Sequence, residues 1–203
     1  MKIGFYSTGK GSHVDMAKGM IASVKRHMPD IPLFHLTDGD TEALGEPIRL
    51  AEPKPLALNR ITHYSRLIGD WLLVDTDIIF NRDVREVFNQ PFDVAFAERD
   101  EKNDYCTAMP YNLGVVFSRN WQFWADIVPA VQGLPPKLQE WEGGQLASGW
   151  YATRAWCPYK ILKLPAEYNY CPKSKDEDVS GKAIVHYKGR RPKRWLQEQT
   201  QSP

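Results

Sequence analysis

A single-domain α/β fold, with a mostly parallel central sheet flanked by helices, is predicted by three features of this sequence. Short apolar runs of strand length alternate with helix-length amphipathic segments along the chain, the first two strand runs are spaced for a helical crossover, and no internal repeat or low-complexity linker breaks the order. The elements follow in turn. Lys2 to Ser7 reads as a buried strand, Thr8-Gly9-Lys10-Gly11-Ser12 as a loop, and Val14 to His27 as a helix. Met28-Pro29-Asp30-Ile31-Pro32 stops that helix, and Leu33 to Thr37 is a second strand closing at Asp38-Gly39-Asp40. Parallel strands joined this way carry their ligands outside the carboxyl ends of the strands.

Ala57 to Ile68 has helical spacing, and Gly69-Asp70 separates it from the apolar run Trp71 to Val74, which resumes as Ile78-Ile79-Phe80. Val84 to Phe88 is expected to form a helical turn, Asp93 to Ala97 and Leu113 to Ser118 strands, and Trp121 to Val131 a helix. Pro135-Pro136 marks a turn before a helix near Leu138 to Tyr151, and Tyr159 to Leu164 and Ala183 to Tyr187 read as the last strands. The domain is expected to span residues 1–187, leaving 188–203 as a basic, then Gln-rich tail.

With 203 residues and 42% hydrophobic against 25% charged side chains, the chain has the size and composition of one folded globular domain with a real core. Its 26 Lys and Arg against 25 Asp and Glu give a net charge of +1, so attraction to nucleic acid or anionic membrane has to be local. The start, Met1-Lys2-Ile3-Gly4-Phe5-Tyr6, has no secretory pattern, and no stretch reaches the about 18 apolar residues of a membrane span, so a cytoplasmic setting is expected. Cys106, Cys157 and Cys171 lack C-x-x-C spacing, which points to reduced structural thiols and away from a zinc site or a disulfide framework.

The strongest chemical signal is Leu72-Leu73-Val74-Asp75-Thr76-Asp77-Ile78-Ile79-Phe80, where two carboxylates interrupt a run that otherwise demands burial. In extended backbone, residues two apart project to one face, so Asp75 and Asp77 can converge. Converging like charges need a cation, and a hard divalent metal, Mg²⁺ or Mn²⁺, is the natural one. The alternative is a strand-end pair facing water. Gly9-Lys10-Gly11-Ser12 is no phosphate-binding P-loop, because the lysine is followed by glycine and the earlier glycine at the required spacing, Gly4, lies inside the strand.

Several segments, in order, resemble the GT-A (Rossmann-like) glycosyltransferases, in particular family eight, which includes glycogenin and bacterial lipooligosaccharide galactosyltransferases. Tyr64-Ser65-Arg66-Leu67 followed by Trp71-Leu72-Leu73-Val74-Asp75-Thr76-Asp77 is similar to that family's Arg-Leu helix and Y-L-D-x-D strand. Tyr111-Asn112-Leu113-Gly114-Val115-Val116-Phe117 resembles its F-N-S-G-V segment, and Gly144-Gln145 falls at its Asp-Gln pair. Ile184-Val185-His186-Tyr187-Lys188-Gly189, with Lys193 and Trp195, resembles its closing H-F-x-G-x-x-K-P-W motif.

The resemblance implies a metal-dependent transfer of a hexose from a nucleoside-diphosphate sugar, with UDP-sugar and retention of configuration as the family precedents. It implies that Asp75 and Asp77 bind Mn²⁺ (or Mg²⁺) and the ribose, with Thr76 between them, and that His186 is the third metal ligand. Lys188, Gly189 and Lys193 would flank the diphosphate, so the tail completes that site. Arg66 would contact donor phosphate or sugar, and Asn112 and Gln145 would bond sugar hydroxyls. Tyr6, Ser7 and Thr8 would meet the nucleoside, and His13 would stack on the base. The acceptor would bear a hydroxyl, on a glycan, a lipid-linked sugar, a protein or a modified nucleobase, and a homo-oligomer is one way to complete its site. Two departures leave sugar and stereochemistry open. Gly144 stands where an acid is expected, with Glu142 as a substitute, and the closing motif carries a displaced proline and the extra basic residues Arg190, Arg191 and Arg194. That basic cluster, beside Trp195, would also suit an anionic acceptor such as nucleic acid or a lipid head group. The rival readings are a nucleotidyltransferase or other metal-assisted phosphate enzyme, and a non-catalytic nucleotide- or sugar-binding protein.

Overall fold

A computed structural model of the chain describes residues 1–9, 12–50, 55–99, 104–189 and 192–196, with the side chains at 12, 13, 104 and 105 left aside. In chain order the elements are β1 (Lys2–Tyr6), α1 (Ser12–His27), β2 (Leu33–Thr37), β3 (Glu46–Arg49), α2 (Leu56–Tyr64), β4 (Trp71–Val74) and β5 (Ile78–Phe80). A 3₁₀ turn (Arg85–Asn89), β6 (Val94–Glu98), α3 (Asp104–Ala108), β7 (Tyr111–Ser118), α4 (Trp121–Gln132), α5 (Pro136–Glu140) and α6 (Gly143–Ala152) come next. The series closes with β8 (Ile161–Leu164), a second 3₁₀ turn (Ala166–Asn169) and β9 (Ile184–His186).

Seven strands form one sheet in the order β3-β2-β1-β4-β7-β6-β8. β1 pairs in parallel with β2 and β4, β2 with β3, and β6 with β8, while β7 runs antiparallel to both its neighbours. The sheet is thus mostly parallel, as expected. Side chains alternate between its faces with the period of two that extended backbone imposes. Ile3, Phe5, Leu72, Val74, Val115 and Phe117 meet Met20 and Val24 of α1 on one face. Trp71, Leu73, Val94, Phe96 and Val116 meet Leu58, Ile61, Phe123, Trp124 and Ile127 of α2 and α4 on the other. Each such large side chain, fully buried, contributes about 1.5–3 kcal/mol. The one polar atom of Trp124 is satisfied inside, with Nε1 donating to Ser118 Oγ at 2.8 Å.

Several features differ from the expectations or were not foreseen, among them the helix expected over Ala57 to Ile68, which stops at Tyr64, and α3. β3 was not foreseen: its residues, Glu46-Pro47-Ile48-Arg49, are mostly exposed on the sheet edge, so burial leaves no apolar signature, and an edge strand tolerates proline. The helix expected near Leu138 to Tyr151 is two helices, because Trp141 leaves helical geometry (φ −134°, ψ −59°) and α6 restarts after Glu142. The last strand, β9, does not join the central sheet. It pairs antiparallel with β5, with Ile78 opposite His186, Ile79 opposite Val185 and Phe80 opposite Ile184.

Candidate active site

The strand order reverses at β1: the chain goes from β1 to β2 on one side and returns to β4 on the other. The carboxyl ends of β1 and β4 therefore flank a crevice, the place where open α/β sheets bind ligands. A cavity of about 460 Å³ lies there, and Tyr6, Ser7 and Thr8 after β1 and Asp75, Thr76 and Asp77 after β4 line it. Because β7 is antiparallel to β4, its first residues come to the same end, placing Asn112 and Gly114 in the wall.

The pairing of β5 with β9 supplies the remaining group. His186 stands opposite Ile78, one residue beyond Asp77, and the ladder continues with Tyr187 N–H donating to the Asp77 carbonyl at 2.8 Å. His186 Nε2 thereby lies 3.2 Å from Asp77 Oδ1 and 3.6 Å from Asp75 Oδ2. One donor atom from each of Asp75, Asp77 and His186 falls within 4.8 Å of the others. An ion bonded to cis ligands at about 2.1 Å holds them about 3.0 Å apart, so this set of two carboxylates and an imidazole fits a Mg²⁺- or Mn²⁺-type ion, with faces left for other oxygens.

The chain's own cations balance the carboxylates. Arg60 places Nη1 2.8 Å from Asp75 Oδ1, donates from Nε to Tyr64 Oη at 2.8 Å, and bonds the Leu113 carbonyl through Nη2. Burial opposes its charge, but Asp75 and Tyr64 outweigh burial and hold the guanidinium firmly protonated. Lys193 Nζ sits 2.9 Å from Asp77 Oδ2. Burial opposes ionisation of Asp77 too, yet His186 and Lys193 beside it overcome burial and hold its carboxyl well below the usual carboxylate range.

Glycine at 114 is set by space. A Cβ there would stand 2.2 Å from His186 Cε1 and 2.4 Å from Nδ1, inside the imidazole's own seat. Gly189, at the cavity rim, is set by conformation: its φ of +93° is left-handed, which side chains with a Cβ rarely adopt.

Of the residues singled out from sequence, Tyr6, Ser7, Thr8, Asp75, Thr76, Asp77, Asn112, Gln145, His186, Lys188, Gly189 and Lys193 all line the one cavity. Gln145 is anchored there, Oε1 accepting from Leu113 N–H at 3.3 Å and Nε2 lying 3.4 Å from Met109 Sδ. Arg66 is not brought in. It is exposed beyond the carboxyl end of α2, where its charge adds to the burial that pushes buried His63 down to about 4. Arg60, on the face of α2 that carries Ala57 and Ile61 into the cavity wall, takes the inward position. The His13 side chain, Arg190 and Arg191 lie outside the described residues. Both Glu142 and Gly144 line the cavity, and a Cβ at 144 would come within 3.0 Å of Ile61 Cγ1, so the α2–α6 contact favours glycine. Sequence reasoning missed Arg60, whose signal was a cation amid buried helix positions, and Trp141, which is 69% exposed and still lines the cavity.

No protein-family model matches the sequence, and no curated protein matches it. Solved structures do. The glycosyltransferase GlyE of Streptococcus pneumoniae TIGR4 superposes with a TM-score of 0.72 at 15% identity, over 100% of this chain and 61% of that one. This chain thus spans under two thirds of GlyE. A glycosyltransferase involved in glycosylation of the major capsid of PBCV-1 gives 0.69 at 12% identity over 100% of both chains. The galactosyltransferase LgtC, in complex with donor and acceptor sugar analogues, gives 0.58 at 12% identity, over 100% of this chain and 97% of that one. Strand order, the crevice at the β1/β4 ends and these superpositions agree that the chain has the GT-A fold of the glycosyltransferases it resembles.

Proposed function

We propose that this protein is a metal-dependent glycosyltransferase that moves a hexose from a nucleoside-diphosphate sugar, with UDP-sugar first, to a hydroxyl acceptor, with retention. The observation that carries the reading is the convergence of Asp75, Asp77 and His186 on one point of a cavity at the sheet's switch point. The neighbours named as glycosyltransferases support it through shared fold. A divalent ion held by these three residues would act as a Lewis acid on the donor diphosphate and stabilise charge on the departing nucleoside diphosphate. Tyr6, Ser7 and Thr8 then hold the nucleoside, and Lys188, Gly189 and Lys193 close on the diphosphate from the other side. Asn112 and Gln145 face the sugar, where an unmet hydroxyl is costly to binding. Trp141 offers a flat apolar face at the cavity wall beside Glu142, suited to one side of an acceptor sugar ring.

Cys106, Cys157 and Cys171 are free thiols. Among the described residues, no helix is long and apolar enough to cross a membrane. The test is hydrolysis of UDP-sugars in the presence of Mn²⁺, with Asp77→Ala as control. Turnover that needs both metal and Asp77 is expected. Equal turnover in the variant, or release of pyrophosphate from a nucleoside triphosphate in its place, overturns the reading.

A further inference from the structure

We infer that Asn169, a residue outside the cavity lining, is a positioning residue that fixes the tautomer of His186 and so aims its Nε2 lone pair at the metal position. The inference rests on reading Asp75, Asp77 and His186 as a metal site. Asn169 ends the second 3₁₀ turn, and Tyr170 beside it is tied to both sides of β9: Tyr170 N–H donates to the Ile184 carbonyl at 3.0 Å, and His186 N–H donates to the Tyr170 carbonyl at 2.7 Å. Asn169 is 6% exposed and His186 2% exposed, so no bulk water competes for their polar atoms.

The orientation of the Asn169 amide follows from its partners. Its Nδ2 lies 2.8 Å from the Asn112 carbonyl oxygen, which only accepts, so the amide nitrogen faces Asn112 and Oδ1 faces His186. Oδ1 is 2.9 Å from His186 Nδ1 and can also only accept, so Nδ1 carries the hydrogen. In the neutral ring the lone pair is then on Nε2, the atom that faces Asp75 and Asp77. The other tautomer would set a lone pair against the Asn169 oxygen at 2.9 Å, in exchange for an Nε2–H bond to Asp77 Oδ1 at 3.2 Å and one long bond from Asn112 Nδ2 at 3.4 Å; a divalent ion between the carboxylates removes the first of these gains, so the assignment is that of the metal-loaded site. Asn112 has another anchor, since its Oδ1 accepts from Gly114 N–H at 3.1 Å. The chain of command therefore runs from the β7 backbone through Asn169 to the imidazole. Outer partners of this kind raise ligand basicity and orient the ring, and their loss typically lowers metal affinity about 10–100-fold.

The test has two readouts, neither of them turnover. The first is nitrogen NMR of labelled histidine rings in the protein saturated with Mg²⁺ and UDP, with His186→Gln assigning the signal among the five histidines. His186 protonated on Nδ1 is expected; protonation on Nε2 overturns the inference even if no variant folds. The second is Mn²⁺ affinity, titrated with UDP present, in Asn169→Leu and Asn169→Asp. The leucine is expected to weaken Mn²⁺ about 10–100-fold. The aspartate, which keeps an acceptor oxygen at Nδ1, is expected to restore most of it. Full affinity in folded Asn169→Leu, or equal loss in both variants with folds intact, overturns the inference. Failure of the wild-type protein to bind Mg²⁺ or Mn²⁺ with UDP present instead removes the metal reading on which the inference rests.

Discussion

Replacing Gly114 by alanine tests whether the site is assembled as the structure says. The added Cβ would lie 2.2 Å from His186 Cε1, against about 3.5–4.0 Å for ordinary carbon contacts, so the ring must retreat by more than about 1 Å. Its 2.9 Å bond to Asn169 and its approach to Asp77 at 3.2 Å do not survive such a shift. Metal ligands tolerate about 0.2 Å, so Gly114→Ala is expected to lower Mn²⁺ affinity at least as much as removing an outer partner, about 10–100-fold. Overpacking adds about 1–3 kcal/mol of destabilisation, at about 2–4 °C of Tm per kcal/mol for a chain of this size. The assay is a double-mutant cycle with His186→Ala, read by Mn²⁺ titration and thermal unfolding. With the imidazole gone, Gly114→Ala should cost little, leaving a coupling of about 1–3 kcal/mol. Equal cost in both backgrounds, or unchanged Mn²⁺ affinity in Gly114→Ala, refutes the argument that glycine is there to seat the histidine.

Two further predictions concern α2. Arg60→Met removes the guanidinium bonds to Asp75, Tyr64 and the Leu113 carbonyl, and should cost about 1.5–3 kcal/mol in urea unfolding; a variant as stable as wild type would make Arg60 a merely solvated cation. His63 is held neutral, its pKa pushed from 6.5 down to about 4 by burial first and by Arg66 second. A histidine depressed on folding contributes stability that is full above its unfolded pKa and is lost as pH falls toward its folded one. Between about pH 7.5 and about pH 5 that loss is about 2 kcal/mol, and His63→Leu should remove it from the pH dependence of urea unfolding. An unchanged pH slope in the variant would show that His63 is not the group responsible.

The parts of the site legible in the sequence were those whose reason is local. Asp75 and Asp77 stand out because charge interrupts apolar strand runs, and the β1 end was marked by the loop that leaves it. The misplacement of Arg66 for Arg60 shows where local reasoning stops. Both arginines belong to one expected helical segment, but α2 stops at Tyr64, so Arg60 stays on the helix beside the cavity while Arg66 falls beyond its end, and where a helix stops is poorly marked by spacing. Asn169 was illegible for a related reason: it meets His186 only through the pairing of Tyr170 with β9, a contact between segments that no spacing announces. β3 was hidden by its polarity, and the break at Trp141 by the helical pattern continuing on both sides of it.

The charge balance of the site leads to a last prediction, on the order in which its ligands bind. Two carboxylates, Asp75 and Asp77, face two cations of the chain, Arg60 and Lys193, at 2.8 and 2.9 Å. Adding a divalent ion alone makes this half-buried site strongly positive and sets the ion against Lys193 for Asp77 Oδ2. A nucleoside diphosphate brings the missing negative charge and gives Lys193 another anion to meet. Mn²⁺ and UDP are therefore expected to bind cooperatively, UDP raising Mn²⁺ affinity by about 5–150-fold, and linkage requires Mn²⁺ to raise UDP affinity by the same factor. Lys193→Met sharpens the test because its two effects have opposite signs. Without its competitor, Mn²⁺ alone should bind more tightly, while the coupling to UDP should shrink. Titration calorimetry in both orders reads all of these quantities. If Mn²⁺ and UDP bind independently in the wild-type protein, or if Lys193→Met weakens Mn²⁺ alone, the lysine is no stand-in for the ion and the balance argued from these contacts is wrong.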